Sequence, residues 1–303
     1  LDALFTLFLN NLLPILLIAG AGFLVGKMMK IDPRSLSRVV FYILSPCLVF
    51  TLLVDSQLSN GDMLRMLVFS TAQLILIGAL TLLIGRILKT ERRLLAAMLI
   101  TTMTLNAGNY GLSLNLFAFG ETAVSYASLF FIAMILFTYT GGVAIASLGS
   151  STLKQTFVEL LKVPMIYAVL LALIFKYLGW QLPLPLDRSV RLLSDATIPT
   201  MVLLLGLQLQ HNQRTDHTRE LIWASGIRLL SSPIFAILTA TLFGLQGIAR
   251  KAGIVEASMP TAVVSTVLAT EYDADPAFVT TMVFITTLLS PLTLTPLLAY
   301  LGA

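Results

Sequence analysis

The stretch NAGNYGLSLN, residues 106–115, lies in the middle of a long, otherwise apolar run spanning 92–119. Asn and Gly are poor helix formers, and an Asn side chain in hydrocarbon needs a hydrogen-bonding partner. Three Asn and two Gly at one depth mean one of two things. Either the run is not a membrane span, or the span exists for the sake of this stretch.

The remainder of the chain favours the second reading. Of 303 residues, 57% are hydrophobic and only 11% are charged, whereas soluble domains average about 25% charged. Membrane β-barrels alternate apolar and polar residues in segments of about ten. Here the apolar runs are about twenty residues long, the length a helix needs to cross a bilayer. Ten runs are found, at 3–26, 35–54, 63–86, 92–119, 121–148, 163–179, 188–210, 219–244, 249–270 and 276–301. The expectation is an all-α polytopic membrane protein with ten transmembrane helices. No Lys or Arg precedes the first run, which is therefore expected to be a span rather than a cleaved signal.

The net charge of +4 is not a nucleic-acid footprint, because the positive charges are sorted by loop. Of the nineteen Lys and Arg, twelve fall in the loops after runs one, three, five and seven. Six fall in the other loops, and Arg228 lies within run eight. The positive-inside rule then places both termini outside. Cys47 is the only cysteine, so no internal disulfide exists. His211 and His217 lie in a polar loop without metal-ligand company and are expected to be solvated. No metal set, paired catalytic Asp or Ser–His combination lies along a span, so no catalytic residue, metal or cofactor is expected.

A shift of 153–155 residues lays one half of the chain on the other. Pro46 then falls on Pro199, Gln73 within a residue or two of Arg228, and Asn106 on Pro260. Five spans per half is an odd number, so the halves, 1–150 and 151–303, are expected to be inverted repeats. The junction around 150–164 is mildly amphipathic and reads as an interfacial connector. In SMPTAVVST (258–266), Pro260 removes a backbone donor and interrupts the ninth run, at the place matching the Asn-rich centre of the fourth. Nonhelical backbone is tolerated in a bilayer only against protein or a polar cavity. Two interrupted spans at corresponding places are the sequence signature of a transporter site at the midplane. Half-helix N-termini meeting there would favour an anion. Gly108 and Gly111 are expected to permit unusual backbone angles.

NAGNYGLSLNLFAFGE (106–121) resembles the fourth-span signature of the auxin efflux carrier family. EASMPTAVVSTVLATEY (256–272) is similar to its ninth-span counterpart. The resemblance implies an inverted-repeat fold in which helices four and nine break and cross. It further implies a dimerising scaffold of helices 1, 2, 6 and 7 and a mobile transport domain of helices 3–5 and 8–10. The implied substrates are small carboxylates. Many relatives carry Pro where this chain has Ser113, which leaves Gly and Asn alone to break span four. The long cytosolic loop of many plant members is absent, which suggests a bacterial cytoplasmic-membrane protein.

The candidate substrate contacts are Asn106, Gly108, Asn109, Tyr110, Gly111 and Ser113 in the first break, Met259, Pro260, Thr261 and Ala262 in the second, and Arg228. Arg228 is suited to bidentate contact with a carboxylate. Asp195 and Glu256, each four residues before a Pro, are candidate proton carriers, because burial makes a carboxylate able to hold a proton. The competing reading makes all three charges static ion pairs. Gly22 and Gly26 are spaced to let helices approach closely at a dimer contact. The expected activity is secondary transport of a small organic anion within the lipid bilayer of the cytoplasmic membrane by a homodimer, with the elevator-like movement implied by the resemblance. Proton symport, which suits the intramembrane carboxylates, and uniport, which suits a weak acid, both stay open. The alternatives are a sodium-coupled carrier of the bile acid symporter type and a non-transporting membrane receptor.

Overall fold

The computed structural model describes residues 2–55, 59–138, 163–210 and 215–303, together with positions 141, 145 and 161. Residues 150–160 of the expected connector, and His211, lie outside the described residues. Among those described the chain is helical and contains no strand. Six helices are long and apolar enough to cross a membrane: α1 (Asp2–Met29), α2 (Pro33–Asp55), α3 (Asn60–Ile87), α8 (Leu184–Gln208), α9 (Thr218–Leu242) and α12 (Pro276–Leu301). Runs five and six give the shorter apolar helices α6 (Glu121–Phe137) and α7 (Pro164–Leu178). Runs four and nine are each divided in two. The fourth forms α4 (Arg92–Met103) and α5 (107–119), and the ninth forms α10 (Gly247–Ala257) and α11 (Val264–Glu271).

Local chemistry sets many of the helix ends. The Asp32 side chain accepts from the Arg34 N–H, with Pro33 opening α2. Ser59 accepts from the Asp62 N–H at the start of α3, and Asp275 accepts from the Phe278 N–H ahead of Pro276 and α12. Each satisfies a donor that the first turn leaves free. Gly179 and Gly302 close α7 and α12 in the left-handed conformation, which costs glycine least.

Proline leaves a second mark. Pro14, Pro46 and Pro233 each follow a widened π-helical turn, at Phe8–Leu12, Val40–Leu44 and Ile227–Ser231. Proline has no N–H and crowds the carbonyl four residues back; a wider turn just before it relieves that clash while the helix continues. Pro199 behaves otherwise than its sequence context suggests. It lies inside α8, which runs unbroken from Leu184 to Gln208. One missing donor in a long helix leaves the neighbouring bonds in place.

Helices α1, α2, α7 and α8 pack on one another. Thr51 and Ser194 share a hydroxyl hydrogen bond of 2.7 Å, and Thr197 donates to the Leu44 carbonyl at 3.0 Å. Phe50 and Phe175 meet edge to face. The close approach of α1 and α8 depends on glycine. A Cβ on Gly22 would lie 2.2 Å from the Leu203 carbonyl oxygen, and one on Gly206 would lie 1.8 Å from that of Ala19. A Cβ on Gly26 would strike the Gln210 and Leu207 side chains. The Gly22/Gly26 spacing is thus used inside the chain, against α8. On the other side, α3, α6 and α10 pack together, with Phe69 against Phe130 and Gly253 lying under Phe69 and Met66.

Backbone atoms cannot retreat as side-chain ends can. Gly206→Val and Gly22→Val should therefore lower the midpoint of thermal unfolding in detergent, since overpacking costs about 1–3 kcal/mol. Gly20→Ala, at a position where an added Cβ meets nothing within 4 Å, should leave the midpoint unchanged or raise it. Equal midpoints for all three variants and the parent would show that the α1–α8 contact is not set by glycine.

Candidate functional site

The two interrupted helices meet at their breaks. Beyond Met103 the chain is extended at Thr104 and bends at Asn106 before α5 begins. Beyond Ala257, residues 258–263 run without regular helix to α11. The two irregular segments lie antiparallel, with Leu105 opposite Thr261. The Asn106 N–H donates to the Pro260 carbonyl at 2.8 Å, and the Ala262 N–H donates to the Thr104 carbonyl at 3.0 Å. The Thr261 N–H donates to Thr286 Oγ1, and Thr261 Oγ1 donates to the Thr101 carbonyl. The Asn106 carbonyl accepts from both Tyr110 and Gly111, which starts α5 as a wide turn. Each break thus supplies hydrogen-bonding groups that the other requires.

Two helix C-termini, those of α4 and α10, converge at this point. Their last carbonyls carry partial negative charge, and a cation lies between them. Arg228 is 1% exposed. It donates to the Thr102 carbonyl at 2.8 Å, to Ser232 Oγ at 2.6 Å and to the Ala257 carbonyl. Ser232 Oγ also donates to the Ala257 carbonyl, and Gln73 Nε2 donates to the Ser232 carbonyl. Thr239 donates in turn to Gln73 Oε1. Both terminal nitrogens of the guanidinium are engaged by the protein, and only Nε lacks a partner.

Glu256 is fully buried in the last turn of α10. Its Oε1 accepts from Asn115 Nδ2 at 3.0 Å, while among the described residues its Oε2 has no partner. Lys251 does not pair with it; that ammonium donates to the Gly302 carbonyl and lies over the Phe119 ring. Room for the carboxylate comes from Gly111, where a Cβ would lie 2.3 Å from Glu256 Oε2. Gly108 likewise makes space, for the ring of Phe131. Neither glycine has a positive φ. They are present for close approach, not for the unusual backbone angles expected of them. Asn106 Nδ2, Asn115 Oδ1 and Thr287 Oγ1 are also buried without a partner among the described residues.

The remaining sequence candidates divide by position. Tyr110 is fully buried, with its hydroxyl accepting from Ser290. Ser113 donates back to the Asn109 carbonyl of its own helix. Met259, Pro260, Thr261 and Ala262 are all buried. Asn109 is only half-buried and donates to Gln208 Oε1 of α8 at 3.4 Å. Gln208 and Val263 line a cavity of about 880 Å³. Asp195 lies on an exposed face of α8 rather than buried. Two contributors escape sequence reasoning, Gln208 and Ser232, while Asn115 is the third Asn of the stretch that the sequence singles out. The only sequence signal for Gln208 is a polar residue closing an apolar helix. Among the described residues no group of three His, Cys, Asp or Glu is placed to hold a metal ion.

A guanidinium that ties two helix ends together should matter without any ligand. Arg228→Lys and Arg228→Gln are expected to lower the unfolding midpoint of the ligand-free protein, because hydrogen bonds to charged groups are worth about 1.5–3 kcal/mol each. Lys retains the charge but loses the planar fork, so it should recover only part of the loss. Unchanged ligand-free stability with weakened ligand binding would instead make Arg228 a direct ligand contact.

Two segments of the chain, residues 7–152 and 148–298, match the family described as membrane transport protein. The chain is 28% identical over 277 residues to an uncharacterized transporter of Methanocaldococcus jannaschii, covering 88% of each chain. It is 26% identical over 286 residues to one of Methanothermobacter thermautotrophicus, covering 93% of this chain and 94% of the relative. A shorter match, 32% identical over 126 residues, is to auxin efflux carrier component 6 of Arabidopsis thaliana, covering 40% of this chain and 22% of the plant protein. With its broken, paired helices and these relatives, the chain belongs to the auxin efflux carrier family of membrane transport proteins.

Proposed function

We propose that this membrane transporter carries a small organic carboxylate, mono- or dianionic, by alternating access at the crossing of its two broken helices. The observation that carries the reading is the buried amide donor left unpartnered at the crossing among the described residues, Asn106 Nδ2, beside the N-termini of α5 and α11. The unpartnered oxygens Asn115 Oδ1, Glu256 Oε2 and Thr287 Oγ1 call for a proton or a cation moving with the anion. Buried polar atoms are normally satisfied, and an unpaired one costs about 1–3 kcal/mol. Such groups are retained where something else completes them. The N-termini of α5 and α11 begin at the same place and supply partial positive charge for an anion, while Arg228 occupies the opposite, C-terminal ends. Asn109, half-buried beside the cavity, is the proposed first contact.

The proposed architecture is two inverted five-helix repeats, ten spans in all. The hydrogen bond between Asn106 and Pro260, residues equivalent under the repeat offset, supports it. Helices α1, α2, α7 and α8 form the proposed scaffold and dimerisation domain. The other helices move against it in an elevator-like step. The site is proposed to lie in a cytoplasmic membrane with both termini outside. Glu256 is the proposed proton carrier, with Asp195 as the less supported candidate because it is exposed. One observation also favours sodium: three of the unpartnered atoms are oxygens, the ligand type of a hard cation.

Two outcomes test the reading. Asn109→Ala should purify normally yet bind its anion more weakly by a fewfold to a hundredfold, since losing about 1–3 kcal/mol costs roughly tenfold in affinity per 1.4 kcal/mol. Asn10→Ala, on the exposed part of α1, should bind as the parent does. Parental affinity in Asn109→Ala, read by thermal shift against a set of carboxylates, would move the site elsewhere. For coupling, Glu256→Gln should remove the pH dependence of net uptake into proteoliposomes while labelled-substrate counterflow survives. A parental pH profile in that variant, with uptake abolished by replacing sodium, would establish the sodium reading. Failure of any anion to show counterflow in the parent would leave a receptor.

A further inference from the structure

The cavity of about 880 Å³ lies between the start of α2, the end of α8, and helices α11 and α12. Its inner end reaches Val263, the last residue of the second break, and Gln208, which accepts from Asn109. Its outer wall carries Arg34 and Arg38. They are one helical turn apart on α2 and so project from the same face. Both are exposed, and among the described residues neither makes an ion pair. The one carboxylate in the wall, Asp32, is engaged by the Arg34 N–H as the cap of α2. The first turn of α2 adds its own partial positive charge on the same side.

A cleft with low-dielectric walls focuses the field of the charges that line it and raises the local concentration of counter-ions. We propose that this cavity is the vestibule by which the anion reaches the crossing from the α1–α2 end, and that Arg34 and Arg38 are its anion-gathering residues. The proposal rests on the carboxylate-transport reading for what passes through, but the positive potential in the cavity follows from the residues alone. The charges act at a distance from the crossing, so they set how often an anion arrives, not how it is held there. Their contribution should fall with ionic strength, because exposed charges are screened over about 8–10 Å at physiological salt. It should be larger for dianions than for monoanions.

The test uses the chain with its only cysteine removed, Cys47→Ala, and a reporter thiol introduced in the cavity wall by Thr266→Cys. Thr270→Cys, also in the wall, serves if the first variant does not fold. The rates of modification by a sulfonate-bearing and a trimethylammonium-bearing methanethiosulfonate are compared, and their ratio reports the local potential. At low salt, adding Arg34→Gln and Arg38→Gln should lower the anion-to-cation rate ratio by about three- to tenfold, the lower range of such focusing effects. High salt should remove most of the difference, and Arg34→Lys with Arg38→Lys should restore the parental ratio. A ratio unchanged by the Gln pair would overturn the proposal. In proteoliposomes the Gln pair should lower kcat/KM for a dicarboxylate at low salt, and high salt should remove most of the difference. A loss of kcat/KM that high salt does not diminish would also overturn it. Should the parent transport no carboxylate while the thiol ratio responds as expected, the transport reading fails and the positive vestibule stands.

Discussion

Two backbone hydrogen bonds, from Asn106 to Pro260 and from Ala262 to Thr104, make the rest of this structure permissible. A helix interrupted inside a bilayer exposes donors and acceptors that lipid cannot satisfy, each at a cost of roughly 2–7 kcal/mol. One broken helix alone would have to be completed by water or by side chains from intact neighbours. Two broken helices laid antiparallel complete each other over a few residues, as neighbouring strands do in a sheet. Side chains satisfy more of the exposed backbone, since Thr261 reaches the Thr101 carbonyl and Thr286 reaches the Thr261 N–H. Among the described residues the side-chain atoms Asn106 Nδ2 and Glu256 Oε2 remain without a partner and can be offered to a ligand.

The same crossing fixes where charge can reside. Four half-helices meet there, two by their C-termini and two by their N-termini. The C-terminal pair is neutralised by Arg228, which is itself held by Ser232 and, through it, by Gln73. A fully buried guanidinium is tolerable only with such engagement. Glu256 sits one residue before the carbonyl that Arg228 holds and, among the described residues, has no cation of its own. It rests on Gly111, a residue too small to displace it. The crossing therefore contains one satisfied cation and one half-satisfied acid, and that asymmetry gives the site its proposed chemistry.

Much of this is legible in the sequence because membrane solvation is severe. Asn106 and Asn109 in an apolar run, and Pro260 at the matching place, announce interruptions that few other arrangements tolerate. The family follows from the same residues. The partners are not legible. Arg228 in an apolar run signals function more than an ion pair, and nothing in the order of residues reveals that two helix ends arrive beside it. Gly108 and Gly111 suggest backbone freedom, whereas the need is for space beside Phe131 and Glu256. Pro199 and Pro46 align between the halves, yet one lies in an unbroken helix and the other follows a π turn. A proline's effect depends on whether the preceding turn can widen, which is a property of the packing. Asp195, expected to be buried, lies exposed, since a span's hydropathy does not say which face looks inward.

Two large cavities of similar size, about 880 and 830 Å³, lie toward opposite ends of α2. Their linings differ in kind. The second is walled by α2, α7, α8 and the turn between the last two, including Asp55 and Arg191, whose side chains bond at 2.6 Å. None of its wall comes from a broken helix. The first has Val263 and Gln208 at its inner end and so adjoins the crossing through Asn109. The first cavity thus adjoins the crossing on the side of the α1–α2 turn, while the opposite cavity lies within a group of helices whose contact is set by glycine against backbone. A contact of that kind has little freedom to slide. The remaining helices hold the crossing as one unit, because its two breaks are hydrogen-bonded to each other.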